Sequence, residues 1–252
     1  MQHFYVVKAR NWKKWTIVVV FALFAAVFLW SEQNVLSTFA KDDQETVLSR
    51  GDKNEPHIGL TFNISWGEEK VHDILKGLEQ HDVQATFFVS GEWAERHPDI
   101  LEKITEGKHE LGMLGYRYKS YLEQEIGQVR QDLSDAKETF QKLGYEDMSL
   151  LRAPSGHLNE EIIDLAENQG LHVIQWNVNP NDWENPGTQE IINHVMEETE
   201  NGDIILFHAS DSAKQTADSL KTILPGLKNK GHEFVTVSEL MNQAHAESEL
   251  VE

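Results

Sequence analysis

Beyond residue 56 the chain alternates short, nearly unbroken apolar runs with longer amphipathic stretches. The runs at 57–62, 85–89, 111–114, 150–153, 172–176, 204–207 and 234–237 predict seven strands. Apolar runs this short, with little alternation, suit strands buried on both faces, as in a parallel sheet covered by helices. Residues 121–143 give the clearest helix: Leu122, Ile126, Val129, Leu133, Ala136, Phe140 and Leu143 recur at spacings of four and three, laying one apolar stripe toward a core. Its charged residues read as a solvated face. Gly144 stops it, and Asn159, Thr188 and Ser212 each precede a further helical run as caps. Glu68 and Glu69 open a helix after the first strand, while Trp93, Glu95, His97 and Pro98 read as turn and cap structure. Seven strand-helix alternations predict an α/β barrel rather than an open sheet, and no internal self-similarity accompanies them.

The first 56 residues follow a different pattern. From Trp15 to Trp30 every residue except Thr16 is apolar, and Lys8, Arg10, Lys13 and Lys14 precede the run. Sixteen residues of helix rise about 24 Å, a short span whose flanking indoles suit the membrane interface. The basic flank predicts a cytoplasmic tail over 1–14, a membrane anchor over 15–30 and the remaining chain outside. A cleaved signal peptide ending at Ala40, which would leave a secreted protein, is the competing reading. Residues 31–56 read as a linker, 57–245 as the folded domain and 246–252 as an acidic tail.

Charge narrows the function classes. Four of the 22 basic residues and one of the 42 acidic ones fall in the first forty positions, so the remainder holds 18 against 41, a formal charge of −23. Such a polyanion is repelled by phosphate backbones, which argues against nucleic acid as a partner. The chain has no cysteine, so thiol catalysis, disulfides and thiolate-bound zinc are excluded.

In a barrel of this class, chemistry gathers just past the carboxyl ends of the strands. Those positions hold Thr61-Phe62-Asn63-Ile64-Ser65-Trp66, Leu151-Arg152-Ala153-Pro154-Ser155-Gly156, Trp176 with Asn179-Pro180-Asn181-Asp182-Trp183, and Leu206-Phe207-His208. Together with Ala85-Thr86-Phe87-Phe88, Trp93-Ala94-Glu95-Arg96-His97-Pro98 and Ala209-Ser210-Asp211, they resemble the ordered motifs of the NodB-type polysaccharide deacetylases, carbohydrate esterase family four. Within that family the motifs resemble most the PdaB-like sporulation branch. The resemblance spans about residues 57–240. It implies a distorted (β/α)7 TIM-like barrel acting on N-acetylated glycans such as peptidoglycan.

The resemblance also implies where this chain departs from its family. The family's first motif carries a base Asp followed by a metal-binding Asp, and here Asn63 and Ile64 stand there. Its two metal histidines fall on Leu114 and Tyr118. Aliphatic side chains have no lone pair and a neutral phenol is a poor ligand, so no divalent cofactor is expected. His208 matches the family's acid, and Arg152 and Asp182 match groups that orient the catalytic carboxylate, forming an expected guanidinium–carboxylate pair facing Asn63. Trp66, Tyr118, Pro154 and Trp183 are the expected sugar-binding residues. Plainer roles stay open: a core histidine, a structural ion pair and core tryptophans. The functions weighed are a deacetylase working by another route, a membrane-tethered glycan- or partner-binding pseudoenzyme, and a glycoside hydrolase pairing Asp182 with Glu68 or Glu69.

Overall fold

The computed structural model of the protein describes residues 47–250. The expected basic tail, membrane segment, Ala40 cleavage site and linker as far as residue 46 lie outside those residues. Among the described residues no helix is long and apolar enough to cross a membrane.

Among the described residues eight strands form one parallel sheet, rather than the seven expected. They are β1 (Val47–Leu48), β2 (His57–Ile64), β3 (Thr86–Val89), β4 (Glu110–Met113), β5 (Leu150–Leu151), β6 (His172–Ile174), β7 (Ile204–His208) and β8 (Glu233–Val235). Their order is β1-β6-β5-β4-β3-β2-β7, with β8 paired to the first half of β2. The additional strand is β1, which lies in the stretch read as linker and pairs with Val173 and Ile174. At two residues it is too short to show a period in sequence. Val178, past β6, bridges Ile205 of β7, and Arg50, past β1, bridges Asp203, so both edges of the sheet are tied together.

Among the described residues eight α-helices cover the sheet: α1 (Lys70–Gln80), α2 (Gly91–Arg96), α3 (Pro98–Glu106), α4 (Ile126–Lys142), α5 (Glu160–Glu167), α6 (Thr188–Glu198), α7 (Thr216–Asn229) and α8 (Val237–Leu250). The long predicted helix is broken. Tyr121–Glu123 is a 3₁₀ turn, and α4 starts at Ile126 behind a reciprocal capping box between Glu125 and Gln128. Asn159 caps α5 as expected, its side chain accepting from the Ile162 N–H at 3.0 Å. Thr188 and Ser212 do not cap: α6 starts behind Gly187, whose φ of 125° favours glycine, and α7 starts behind Gln215. Trp93 and Glu95 lie inside α2, while His97 and Pro98 open α3. Helix α8 continues through residues read as an acidic tail.

Register decides what each face of the sheet holds. Phe62 pairs with Phe87 and Phe207, and its ring stacks on both at centroid distances of 5.0 and 5.9 Å, within the core shared with the helices. One residue later, Asn63 pairs with Phe88 and His208, so these three face the opposite side. There Phe88, Leu114, Leu150, Ile174 and Ile204 form a second apolar cluster, closed by Val237 and Leu240 of α8. This inner column supports the functional cleft.

Candidate functional site

At the carboxyl end of the strands lies a cleft of about 620 Å³. Asn63, Leu206 and His208 contribute to its lining, as do four aromatic residues, Trp66, Tyr118, Trp176 and Trp183. Ser65, Ser155, Asn179, Asn181, Ser210 and Ser212 complete the lining. Trp66, Tyr118 and Trp183 are 55%, 46% and 49% exposed, which a core role would not permit.

Beneath the floor sits Arg152, fully buried. It donates from Nη1 to Thr61 Oγ1 and Asn63 Oδ1, both at 3.0 Å, from Nη2 to the Gln175 carbonyl at 3.1 Å and from Nε to the Ile174 carbonyl at 3.3 Å. Its guanidinium lies 4.0 Å from the Phe88 ring centroid and 5.3 Å from that of Trp176. Burial pulls its pKa down to about 9, so it remains charged at neutral pH.

The expected Arg152–Asp182 pair does not form. Asp182 is also fully buried, and it binds His208 instead. Its Oδ1 is 2.7 Å from His208 Nδ1, and its Oδ2 accepts from the His208 backbone N–H at 2.9 Å and from Thr216 Oγ1 at 2.6 Å. A carboxylate accepts only, so Nδ1 carries a proton, and in the neutral form of the ring the lone pair stands at Nε2. Arg152 therefore orients the residue at 63, and Asp182 orients His208.

The walls are fastened by two carboxylates. Asp132 of α4 accepts from the Tyr116 and Arg117 N–H groups and the Tyr121 hydroxyl, at 2.9, 3.0 and 2.9 Å, and so fixes the loop that displays Tyr118. The solvated-face reading fails at Asp132, which is buried. Its charge and burial push the Tyr121 hydroxyl pKa well up, with burial the larger cause. Asp211, past β7, accepts from the N–H groups of Glu68, Glu69 and Lys70 at 3.1, 2.9 and 2.9 Å, capping α1 from the end of the neighbouring strand. Gly67 lies against it with φ of 81°, where an added Cβ would meet Asp211 Cγ at 2.4 Å.

Pro154 is buried and does not line the cleft; its neighbour Ser155 does, at φ of 63°. Glu68 and Glu69 also stand outside the cleft lining, and Asp182 is buried below it, so the two-carboxylate arrangement of a glycoside hydrolase is not assembled. Sequence reasoning located Trp176, Ser65, Ser155, Asn179, Asn181 and Ser210 at the strand ends but gave them no role, and it read the lining residue Ser212 as a cap. They sit past predicted strands, but short polar side chains carry no spacing that separates a lining residue from a turn.

A family model described as polysaccharide deacetylase matches residues 50–174. A peptidoglycan-N-acetylglucosamine deacetylase of Bacillus cereus is 34% identical over 197 residues, covering 76% of this chain and 91% of the relative. The chain belongs to the polysaccharide deacetylase family. A second relative, the Bacillus subtilis protein YlxY, is 28% identical over 200 residues, covering 79% of this chain and 62% of its own length, so the match spans less than two thirds of that protein. Among solved structures, a family-four pseudoenzyme from Bacillus anthracis aligns at 28% identity with a TM-score of 0.72, covering 77% of this chain and 68% of that one. A mutant of the same pseudoenzyme, described as having restored enzymatic activity, aligns with a TM-score of 0.73.

Whether the divalent metal that the motif resemblance implies would fit here is decided by donor chemistry. Ile64 and Leu114 are fully buried among apolar neighbours, and Tyr118 brings a half-exposed phenol. The three side chains offer one weak donor between them, so they do not fit the ion. Among the described residues no group of three or more His, Asp or Glu is placed to hold a metal.

Proposed function

We propose that this protein holds an N-acetylated peptidoglycan chain in its cleft and does not carry out the metal-dependent deacetylation of its family. The carrying observation is the contrast between a retained cleft and a replaced centre. Four aromatic side chains line the groove, and planar rings suit the apolar faces of sugars. At the centre, Asn63 has no titratable group and cannot take a proton from water as a carboxylate would. The residues at the metal positions also lack the donors for a Lewis acid.

Location extends the proposal. Residues 15–30 tether the domain to a membrane, with the barrel on the outer side where peptidoglycan lies, and the resemblance to the sporulation branch extends the ligand to spore peptidoglycan. The closed (β/α)7 arrangement belongs to the same proposal, supported by the bridges at Val178 and Arg50.

A second reading, slow hydrolysis without a metal, is favoured by the intact His208–Asp182 pair. Acetate release from N-acetylglucosamine oligomers, measured with added zinc and with chelator beside calorimetric binding of the same oligomers, separates the two. Binding without release is expected. Zinc-stimulated release by the unaltered chain would overturn the proposal, and chelator-resistant release lost in His208→Ala would favour the second reading.

A further inference from the structure

We infer that the cleft floor selects N-acetylglucosamine over sugars substituted at the ring-3 hydroxyl, through a fixed donor at Asn63 and a fixed acceptor at His208. This rests on the proposal that an N-acetylated glycan occupies the cleft.

Polarity is set from below at both residues. Arg152 has only donors, so the Asn63 amide must turn Oδ1 toward it, which leaves Nδ2 as the outward group. Asp182 only accepts, so the neutral His208 ring places its one proton on Nδ1 and leaves Nε2 as the outward acceptor. Among the described residues, neither Asn63 Nδ2 nor His208 Nε2 has a hydrogen-bond partner or is sealed from solvent, and both side chains line the cleft. Asn63 and His208 are register partners on adjacent strands, whose spacing is about 4.8 Å.

The floor therefore presents one donor and one acceptor side by side. An N-acetylhexosamine carries the matching pair on neighbouring ring carbons: an acetyl oxygen, which accepts, and the 3-hydroxyl, which donates. N-acetylmuramic acid keeps the first but etherifies the second. Its ring-3 oxygen only accepts, so it meets the His208 lone pair with no hydrogen between them. Glucosamine lacks the acetyl oxygen and sets a cationic donor against Asn63.

The test is NMR titration of the full chain with N-acetylglucosamine, its 3-O-methyl ether and glucosamine. Both altered sugars are expected to bind about tenfold more weakly, the scale of one unmade hydrogen bond at a desolvated group. Asn63→Asp replaces the donor with an acceptor that Arg152 still neutralises; it should weaken the parent sugar by about tenfold or more. Asp182→Asn keeps its amide oxygen on the His208 N–H and Thr216 and turns its amino group toward Nδ1, which moves the ring proton to Nε2. Imidazole nitrogen shifts would report that tautomer, and the discrimination against the 3-O-methyl ether should fall toward unity. Equal affinity for parent and ether in the unaltered chain, or unchanged affinity in Asn63→Asp, overturns the inference while glycan binding stands. No binding of N-acetylglucosamine or its trimer removes both.

Discussion

Arg152 Nη1 lies 3.0 Å from Asn63 Oδ1, a buried cation held by a neutral amide where the family resemblance implies a carboxylate. The guanidinium spreads its hydrogen bonds over two side chains and two backbone carbonyls. Arg152→Lys keeps the charge and loses the planar fork, so several of those acceptors are left buried and unpaired. A loss of about 2–4 kcal/mol is expected in urea unfolding, at the scale of a disrupted buried charge network.

Asn63→Asp alone is expected to restore no zinc-stimulated acetate release, because residues 64, 114 and 118 still lack ligands. The fourfold variant Asn63→Asp, Ile64→Asp, Leu114→His and Tyr118→His supplies a base and three donors. Two of those polar groups replace fully buried apolar side chains. The apo fourfold variant should lose several kcal/mol, and zinc should return much of it. Melting temperature with and without zinc, beside acetate release, checks both parts.

The aromatic residues separate by exposure. Trp66 and Trp183 are about half exposed at the cleft rim, whereas Trp93 is fully buried, stacks on His97 at 4.4 Å and donates to the Gly67 carbonyl. Trp66→Ala and Trp183→Ala should each weaken N-acetylglucosamine trimer binding about tenfold with little change in stability. Trp93→Ala should cost about 3–5 kcal/mol of stability. Paired calorimetry and denaturant titration distinguish the groups.

His109 supplies a pH dependence. Its Nδ1 accepts from the Ala85 N–H at 3.2 Å, a bond only the unprotonated nitrogen makes, and burial lowers its pKa from 6.5 to about 4. The unfolded chain therefore binds this proton first as pH falls. The contribution is fully present above pH 6.5 and is lost between 6.5 and about 4. The ring retains some contact with solvent, so the loss is about 2 kcal/mol after screening. His109→Asn keeps an acceptor for Ala85 and does not titrate; its stability should fall less steeply over that window in denaturant titrations at several pH values.

Asp211→Ala should remove three backbone hydrogen bonds at the start of α1 and cost about 1–2 kcal/mol, by analogy with lost helix caps. Because Gly67 and Trp66 adjoin that cap, a weakened trimer affinity should accompany the drop in melting temperature.

The sheet was readable in the sequence wherever a strand was long enough to be an apolar run, and β1 was not. Helix α4 was readable from its stripe, but its start was not, because Leu122 continues the period across a turn that Glu125 and Gln128 end. Family motifs located Asn63, Arg152, Asp182 and His208, yet spacing alone could not pair them. In the folded chain Arg152 lies over Phe88 and bonds Thr61 and Asn63 of β2, while Asp182 bonds His208 of β7 and Thr216. Asp132 showed least of all, since a carboxylate on a helix face reads as solvated until the loop it fastens is known.

That fastening makes residue 118 a display position. Asp132 grips the backbone of residues 116 and 117 and the hydroxyl of Tyr121, and none of those bonds depends on the side chain at 118. The loop is a bracket whose fitting can be exchanged without moving the wall, so a phenol, an imidazole or a methyl group would each be held at the same place along the groove. The groove's shape and the chemistry mounted on it are thus set by different residues, and one can change while the other stays.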